Sequence, residues 1–260
     1  MPRARSRRGS RHLFDRWAEV EARLASAQHV ALFLDFDGTV VPLRDRPEEV
    51  WLGSRAHRVL ARLARHPHLT LCLISGRALA DLRKRVGVHG VSYIGLHGEQ
   101  RGGTKTMRAT STALVQAKAA AFRRLNTLPG VRVEDKKLSF AVHYRGATPD
   151  VAKRARTRLG QVLRPFSGQL RVLNGKKVWE VLPPGIGDKG AAVRAVLEEL
   201  KSSTLPAYVG DDTTDEAAFK VLGEGITVRV GPARQTLARY RLRDPQEVWN
   251  FLEKVEEEIP

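Results

Sequence analysis

The stretch from residue 29 to residue 43, HVALFLDFDGTVVPL, decides the fold because it joins a buried strand to two carboxylates. Residues 30–34 are all apolar, which is typical of a strand covered on both faces of a parallel sheet. Asp35 and Asp37 follow, and charged groups are costly to desolvate unless something pairs with them. Ligands of open parallel sheets bind beyond the carboxyl ends of the strands, so both acids are candidates for a functional site.

The segments around this stretch predict the fold class. Apolar strand patterns at 69–75 and 92–98 are separated by helical patterns, and the same alternation returns over residues 188–231. Continuous apolar strands separated by helices indicate a parallel sheet with helices on both faces. We therefore predict an α/β protein with a doubly wound, Rossmann-like parallel sheet.

The middle of the chain has a different pattern. It predicts a helix at about 107–127 and then a half-exposed strand in VEDKKLSFAVHYR, residues 133–145. A second helix is predicted at about 149–163, followed by a hairpin whose two-residue turn we place at Asn174-Gly175. These elements predict an α+β cap inserted into the sheet domain.

The predicted domain boundaries follow from this change of pattern. Residues 1–12 are expected to be a basic, disordered arm, residues 13–103 and 183–260 the core, and residues 104–182 the cap. The arm carries paired arginines, but no apolar segment follows them, so we do not expect a signal peptide.

Composition narrows the class of protein. Of 260 residues, 42% are hydrophobic and 28% charged, as in an ordinary globular protein. The one cysteine, Cys72, lies in an apolar run, which excludes an internal disulfide and favours a reducing compartment. No run approaches the roughly 18 apolar residues of a membrane span. We therefore predict a cytoplasmic protein without membrane contact.

The net charge of +17 has two interpretations. It is typical of nucleic-acid-binding proteins, but it also attracts any anionic substrate. The basic residues are spread along the whole chain, and aromatic residues make up only 6%, too few to predict stacking platforms for bases. We therefore expect no nucleic-acid partner and favour an anionic small molecule.

Polar residues mark further strand ends of the predicted sheet. Ser75-Gly76-Arg77 follows the second strand, and Lys189 opens the helix after the cap. Asp211 and Asp215 lie in GDDTTDE, after a later strand. Each alone is an ordinary turn residue, helix cap or solvated side chain. Together, in this order and at successive strand ends, they favour one shared site.

The chemistry that fits this set is phosphoryl transfer. A carboxylate can act as a covalent nucleophile, but clustered carboxylates repel one another and a phosphate dianion. A hard dication with oxygen ligands, such as Mg²⁺, relieves that repulsion. Ser75 offers a hydroxyl, Gly76 a backbone N–H at a helix start and Lys189 a positive charge for a phosphoryl group. Gly38 lets the backbone approach the phosphate closely.

Four motifs carry a resemblance to a known superfamily. The sequence resembles, in order, the four motifs of the haloacid dehalogenase superfamily of aspartyl-phosphate phosphatases. The matching segments are DFDGTV, SGR, GDKG and GDDTTDE. The sequence is also similar to the trehalose-6-phosphate phosphatases in the last of these motifs and in three further segments, GLHGE, VEDKKLSFAVHYR and GKKVWEV. The resemblance runs from about Leu32 to Trp249 and implies a core of the superfamily with an inserted cap.

This resemblance implies a division of roles in the core. Asp35 would attack phosphorus, while Asp37 would protonate the departing sugar hydroxyl and then take a proton from water. Ser75 and Lys189 would hold the phosphoryl oxygens. The Mg²⁺ ligands it implies are the Asp35 side chain, the Asp37 carbonyl and Asp211, with Asp215 orienting waters on the metal.

Matching positions also imply a substrate site. The sugar would be contacted by charged side chains of the cap, which form strong hydrogen bonds to hydroxyl groups. For Lys136 a solvated hairpin is the alternative. The implied substrate-binding residues are Gly38, Gly76, Arg77 and His97 in the core and Glu134, Lys136, Lys176 and Glu180 in the cap.

The resemblance favours trehalose 6-phosphate as the substrate of a trehalose-phosphatase. The alternatives within the class are sucrose-phosphate, a glucosylglycerol phosphate and a mannosyl-phosphoglycerate. The alternative of a different class is a non-catalytic regulatory or nucleic-acid-binding domain. We expect a monomer, with a trehalose-phosphate synthase as the candidate protein partner.

Overall fold

The computed structural model describes residues 10–44, 46–102, 111–136, 139–184, 189–232 and 235–260. The chain divides into two compact units. The first comprises Met1–Gly102 and Asp188–Pro260, and the second comprises Gly103–Gly187.

The bounds of the described elements are as follows. The strands are β1 (Arg11–His12), β2 (Val30–Leu34), β3 (Leu69–Ile74), β4 (Ser92–Gly95), β5 (Gln100–Arg101), β6 (Arg132–Asp135), β7 (Phe140–His143), β8 (Arg171–Gly175), β9 (Val178–Leu182), β10 (Leu205–Gly210), β11 (Ile226–Val230) and β12 (Tyr240–Leu242). The α-helices are α1 (Trp17–Ala25), α2 (Ser54–Leu63), α3 (Leu79–Val86), α4 (Thr112–Leu125), α5 (Pro149–Leu163), α6 (Lys189–Leu197), α7 (Glu216–Val221) and α8 (Pro245–Glu258).

The first unit is built on a sheet that, over the described strands, has the order β1-β12-β11-β10-β2-β3-β4-β5. Its pairings are parallel except that of β5 with β4. Leu34, the last residue of β2, pairs with Leu73 of β3 on one side and Val209 of β10 on the other. The carboxyl ends of these three strands therefore meet at one edge of the sheet, and the predicted doubly wound α/β fold is confirmed.

Helices cover both faces of this sheet, as the apolar sequence of β2 predicts. Val30, Leu32 and Leu34 belong to one apolar cluster, which also contains residues of α1, α2, α3 and α8. Ala31 and Phe33 belong to another cluster with residues of α6 and α7. Successive side chains of a strand point to opposite faces, so a strand covered on both sides must be apolar at every position.

The start of the chain corrects one prediction. Arg11 and His12, expected in a disordered arm, form a short parallel strand against β12. The His12 ring lies 2.9 Å from Glu247 Oε2, and Leu13 is fully buried. The arm prediction is therefore wrong at residues 11 and 12, because the edge of β12 presents backbone groups that a further strand can pair with. Residues 1–9 of the predicted arm lie outside the described residues.

The second unit has a four-stranded antiparallel sheet in the order β6-β7-β9-β8 over its described residues. Its apolar cluster contains residues of α4 and α5. The predicted helix at about 149–163 is α5, where Thr148 Oγ1 accepts a hydrogen bond from the N–H of Val151. The predicted helix at about 107–127 is described from Thr112 onward as α4, and residues 103–110 lie outside the described residues.

The β8–β9 hairpin is present, but the predicted turn is wrong by two residues. Asn174 pairs with Trp179 and Gly175 with Val178, so Lys176 and Lys177 form the turn. Lys177 takes the left-handed conformation, with φ of 62°. The apolar pattern sets this register, because a strand buries one set of alternating side chains. In β9 these are Trp179 and Val181, which lie in the apolar cluster of this unit.

The last helix, α8, begins at a side-chain cap. Asp244 Oδ1 accepts a hydrogen bond from the N–H of Glu247, and Pro245 occupies the first helical position. None of the helices among the described residues has the length and apolar composition to cross a membrane.

Candidate active site

Asp35 lies immediately after β2, at the edge where the central strands end. Its N–H donates to the carbonyl of Val209, which joins the ends of β2 and β10. Asp35 is only 4% exposed, and the Thr39 hydroxyl lies 3.4 Å from Asp35 Oδ2. The first carboxylate of DFDGTV is therefore a buried acid held in place from both its backbone and its side chain.

Lys189 is the cation that compensates this buried acid. Its Nζ donates to Asp35 Oδ1 at 2.7 Å and to Asp215 Oδ1 at 2.7 Å. Lys189 is 3% exposed and opens α6, and Asp215 is fully buried after β10. Lys189 is 154 positions from Asp35 and 26 from Asp215 in the chain, and the three residues form one ion cluster at the sheet edge.

The charges of this cluster act on one another strongly. Burial raises the pKa of the Asp35 carboxyl well above its usual range, with Lys189 opposing the rise and Asp215 and Asp211 adding to it. Burial alone would lower the pKa of Lys189, but Asp215 and Asp35 outweigh it and raise that pKa well above its usual value. Lys189 therefore remains protonated at neutral pH, and its single positive charge faces three buried acids.

The same acids form the candidate metal centre. Asp35, Asp211 and Asp215 each offer a carboxylate oxygen, and these atoms lie within 4.8 Å of one another. Gly38 leaves the space beside them open, because a Cβ at this position would lie 2.3 Å from Asp211 Oδ2. Gly38 also has φ of 87°, which favours glycine. Clustered carboxylate oxygens in excess of the nearby positive charge fit a hard divalent cation.

Asp37 is paired differently from Asp35. Both of its oxygens accept hydrogen bonds from Arg77, at 2.7 Å from Nε and 2.7 Å from Nη2. Arg77 Nη1 donates to Asp81 Oδ2 at 2.9 Å, and Arg85 Nε also donates to Asp81. The Asp37 side chain is 30% exposed, whereas that of Arg77 is 9% exposed. A partly buried chain of ion pairs therefore fixes the orientation of the Asp37 carboxylate.

Ser75, Gly76 and His97 lie around the end of β3. The Ser75 hydroxyl accepts from the N–H of Arg77, and the carbonyl of Ser75 accepts from the N–H of His97. A Cβ on Gly76 would lie 2.7 Å from the His97 ring, so only glycine fits there. His97 itself has φ of 55°, a strained conformation for a residue with a side chain, and is buried.

The predicted cap residues are described within the second unit alone. Ala141 of β7 pairs with Glu134 on one side and Glu180 on the other, so both carboxylates lie on one face of the sheet. Glu180 Oε1 accepts from the Ser139 hydroxyl at 2.6 Å, and Lys136 Nζ lies 3.3 Å from Glu180 Oε2. Lys176 occupies the β8–β9 turn rather than a strand position.

Glu134 is paired within this sheet. Its Oε2 lies 2.6 Å from His143 Nε2. Burial would raise the pKa of Glu134, but the hydrogen bond from His143 and the charge of Lys136 lower it overall. Glu134 is therefore ionised at neutral pH.

Sequence reasoning missed three residues that support the core site. Tyr208 donates to Asp215, Asp81 binds Arg77, and Arg229 Nη2 donates to the carbonyl of Asp211. A tyrosine and an arginine in otherwise apolar central strands were the available signals, because a buried polar group needs a partner. Asp81 carried no comparable signal, since acids are common in the first turn of a helix.

Comparisons with known proteins agree with this architecture. A family model described as trehalose-phosphatase matches residues 33–246. The trehalose-phosphate phosphatase of Mycobacterium tuberculosis is 35% identical over 254 residues, covering 90% of this chain and 63% of that protein. This chain thus spans 63% of the length of that curated relative.

Solved structures agree as well. The C-terminal domain of the trehalose-6-phosphate phosphatase of Candida albicans superposes with a TM-score of 0.84 at 23% identity, covering 97% of this chain and 99% of that one. A haloacid dehalogenase-like hydrolase from Bacteroides thetaiotaomicron gives a TM-score of 0.62 at 15% identity, covering 87% and 99%. The chain therefore shares its fold with these two proteins, and its second unit is inserted in the sequence of the first.

The sequence match is more specific than the shared fold. The family model matches the chain from β2 to α8, and the similarity to the Mycobacterium tuberculosis protein covers 90% of the chain. This chain belongs to the trehalose-phosphatase family.

Proposed function

We propose that this chain is a Mg²⁺-dependent phosphatase that hydrolyses trehalose 6-phosphate to trehalose and phosphate. The observation that carries the proposal is the buried cluster of Asp35, Lys189, Asp211 and Asp215 at the carboxyl edge of the sheet. Such a cluster offers a nucleophile, a fixed cation and oxygen ligands for a dication, which is the chemistry of phosphoryl transfer.

The first step is attack of an Asp35 oxygen on phosphorus. The bond between phosphorus and the sugar oxygen breaks, and Asp37, which enters this step as the protonated acid, gives that oxygen its proton. Asp37 then takes a proton from the water that hydrolyses the aspartyl-phosphate and regenerates Asp35. Lys189 and Ser75 hold the phosphoryl oxygens and stabilise the charge that they carry in the transition state.

The proposed metal ligands are the Asp35 side chain, the Asp37 carbonyl and Asp211, with Asp215 in an outer position. When bound, Mg²⁺ would neutralise negative charge on the cluster and on the phosphoryl group. The contacts of Asp215 support its outer position, because Lys189, Tyr208 and the N–H of Asp212 all donate to its carboxylate.

Arg77 is proposed to orient Asp37, in addition to its predicted part in substrate binding. The support is its bidentate contact, which places two of its donors on that carboxylate and a third on Asp81. A carboxyl group held in a fixed plane delivers a proton as the acid, and receives one as the carboxylate, along one direction.

The sugar is proposed to be bound in the second unit by the side chains of Glu134, Lys136, Lys176 and Glu180. In the first unit, His97 and Arg77 remain predicted substrate-binding residues. The support within the second unit is the common face of Glu134 and Glu180. Acids of this kind accept hydrogen bonds from sugar hydroxyls. A monomeric state, a synthase partner and a cytoplasmic location remain predictions.

A panel of phosphate esters tests the proposed substrate. We expect phosphate release from trehalose 6-phosphate with Mg²⁺, and at least about tenfold lower kcat/KM for the alternatives, because several hydrogen bonds to the second sugar would be lost. The panel contains sucrose, glucosylglycerol and mannosyl-glycerate phosphates, and a chelator should abolish all activity. Equal kcat/KM across the panel would reject the sugar assignment, whereas inactivity towards every ester would reject the enzyme and favour a non-catalytic domain.

The variant Glu180→Gln tests the sugar contact. We expect KM for trehalose 6-phosphate to rise about tenfold, since a hydrogen bond to a charged group is weakened, while the kinetics with p-nitrophenyl phosphate stay unchanged. The neighbouring Asp135→Asn is the matched control, because Asp135 pairs with Lys118 instead. If Glu180→Gln changed KM equally for trehalose 6-phosphate and p-nitrophenyl phosphate, Glu180 would not be a sugar ligand.

A further inference from the structure

A buried tyrosine of strand β10, Tyr208, contacts the ion cluster. Tyr208 is fully buried and pairs with Phe33 of β2 on one side and Thr227 of β11 on the other. Its ring stacks on Phe33 at 6.4 Å between centroids and meets Phe219 edge-on at 5.6 Å. Since close-packed rings leave the side chain one orientation, the position of the hydroxyl is fixed by the core.

The hydroxyl points at the carboxylate that holds the lysine. Tyr208 donates to Asp215 Oδ1 at 2.7 Å, the same oxygen that accepts from Lys189 Nζ at 2.7 Å. Lys189 Nζ also donates to Asp35 Oδ1 at 2.7 Å. A continuous chain of three hydrogen bonds therefore links the tyrosine to the proposed nucleophile.

The Tyr208 hydroxyl acts as the donor in this contact. Burial raises the pKa of Tyr208 well above its usual value, and the charge of Asp215 raises it further. The hydroxyl therefore keeps its proton and donates a hydrogen bond to Asp215 Oδ1. Networks of this kind fix geometry, because each bond restricts the rotation of the group that makes the next one.

We propose that Tyr208 is a positioning residue for phosphoryl transfer: its hydroxyl fixes the Asp215 carboxylate, which holds Lys189 Nζ beside Asp35. This proposal rests on the proposed phosphatase function and deepens it. Without the hydroxyl, Asp215 Oδ2 still accepts from the N–H of Asp212, but among the described residues Oδ1 keeps only Lys189 as a donor, so the oxygen that holds Lys189 Nζ is fixed less firmly. A small displacement of a group that stabilises the transition state lowers the rate while leaving the binding of the substrate unchanged.

The variant Tyr208→Phe tests the proposal, because it removes one atom and keeps the ring contacts. With trehalose 6-phosphate we expect kcat to fall about tenfold and KM to stay within about twofold. The matched control is Tyr240→Phe, which removes a hydroxyl that donates to Glu19 at 2.7 Å outside the site. It should keep the kcat of the wild-type chain. Equal kcat values for Tyr208→Phe and the wild-type chain would overturn the proposal, as would equal losses in both variants.

A double-mutant cycle separates positioning from a general structural effect. If Tyr208 acts through Asp215, the change Tyr208→Phe should have no further effect on kcat in an Asp215→Asn background. Additive losses would mean that Tyr208 acts by another route and would contradict the proposal.

Orthovanadate mimics the five-coordinate transition state of phosphoryl transfer, so its binding provides a readout that does not need turnover. In calorimetry with Mg²⁺, Tyr208→Phe should bind it about tenfold more weakly than the wild-type chain. Equal affinity would overturn the proposal. If trehalose 6-phosphate is not the substrate, the kinetic comparison uses p-nitrophenyl phosphate. An error in the sugar assignment therefore leaves the Tyr208 result readable.

Discussion

Replacing Asp35 by asparagine is expected to lower kcat by at least about a thousandfold, a loss of roughly 4 kcal/mol in transition-state stabilisation. An amide is a poor nucleophile, so the aspartyl-phosphate cannot form. The fold should survive, because the amide oxygen of asparagine can still accept from Lys189, which also keeps its contact with Asp215. Steady-state phosphate release and a thermal unfolding curve measure the two effects.

The control for this variant is Asp244→Asn, which makes the same chemical change at the start of α8. Asparagine caps helices about as well as aspartate, so both the activity and the unfolding temperature should stay at the values of the unmodified chain. Turnover by Asp35→Asn above a few per cent of that of the unmodified chain would reject Asp35 as the nucleophile.

Replacing Lys189 by methionine is expected to cost about 3 kcal/mol in the free energy of unfolding at neutral pH, besides abolishing turnover. Lys189 and its two partners are almost completely buried, with side chains 3%, 6% and 0% exposed for Lys189, Asp35 and Asp215. Removing the cation leaves these acids without their common ion partner in a dry environment. Urea unfolding of metal-free protein measures the loss.

The matched control is Lys118→Met in the second unit. Lys118 pairs with Asp135 at 2.8 Å, but the Asp135 side chain is 48% exposed. A pair open to water is worth less than about 1 kcal/mol, so this variant should unfold almost as the unmodified chain does. A similarly small loss for both variants would mean that the buried cluster does not depend on Lys189 for its stability.

The core of the fold could be predicted because its signals are local. An uninterrupted apolar strand can only be covered on both faces, and a carboxylate directly after it must lie at the sheet edge. Asp35, Asp211 and Asp215 were predicted from strand ends and Lys189 from its place at the start of a helix, and the structure brings the four together.

Pairings between distant residues could not be predicted in the same way. Arg77 and Asp37 are 40 positions apart, and the sequence around each residue does not indicate which residue it pairs with. Local turn preference favours Asn174-Gly175 as the β8–β9 turn. The burial of Trp179 and Val181 sets the register instead, and the turn falls two residues later. Tyr208 similarly looked like one more large residue of a buried strand.

The central claim is that Asp35 carries the phosphoryl group of trehalose 6-phosphate during turnover, and rapid acid quench followed by peptide mass spectrometry tests it directly. We expect the peptide that contains Asp35 to gain one phosphoryl group that hydroxylamine removes, and the same peptide from Asp35→Asn to gain none. Phosphate release from trehalose 6-phosphate with no phosphoryl group on that peptide, or with the group on another residue, would contradict the account.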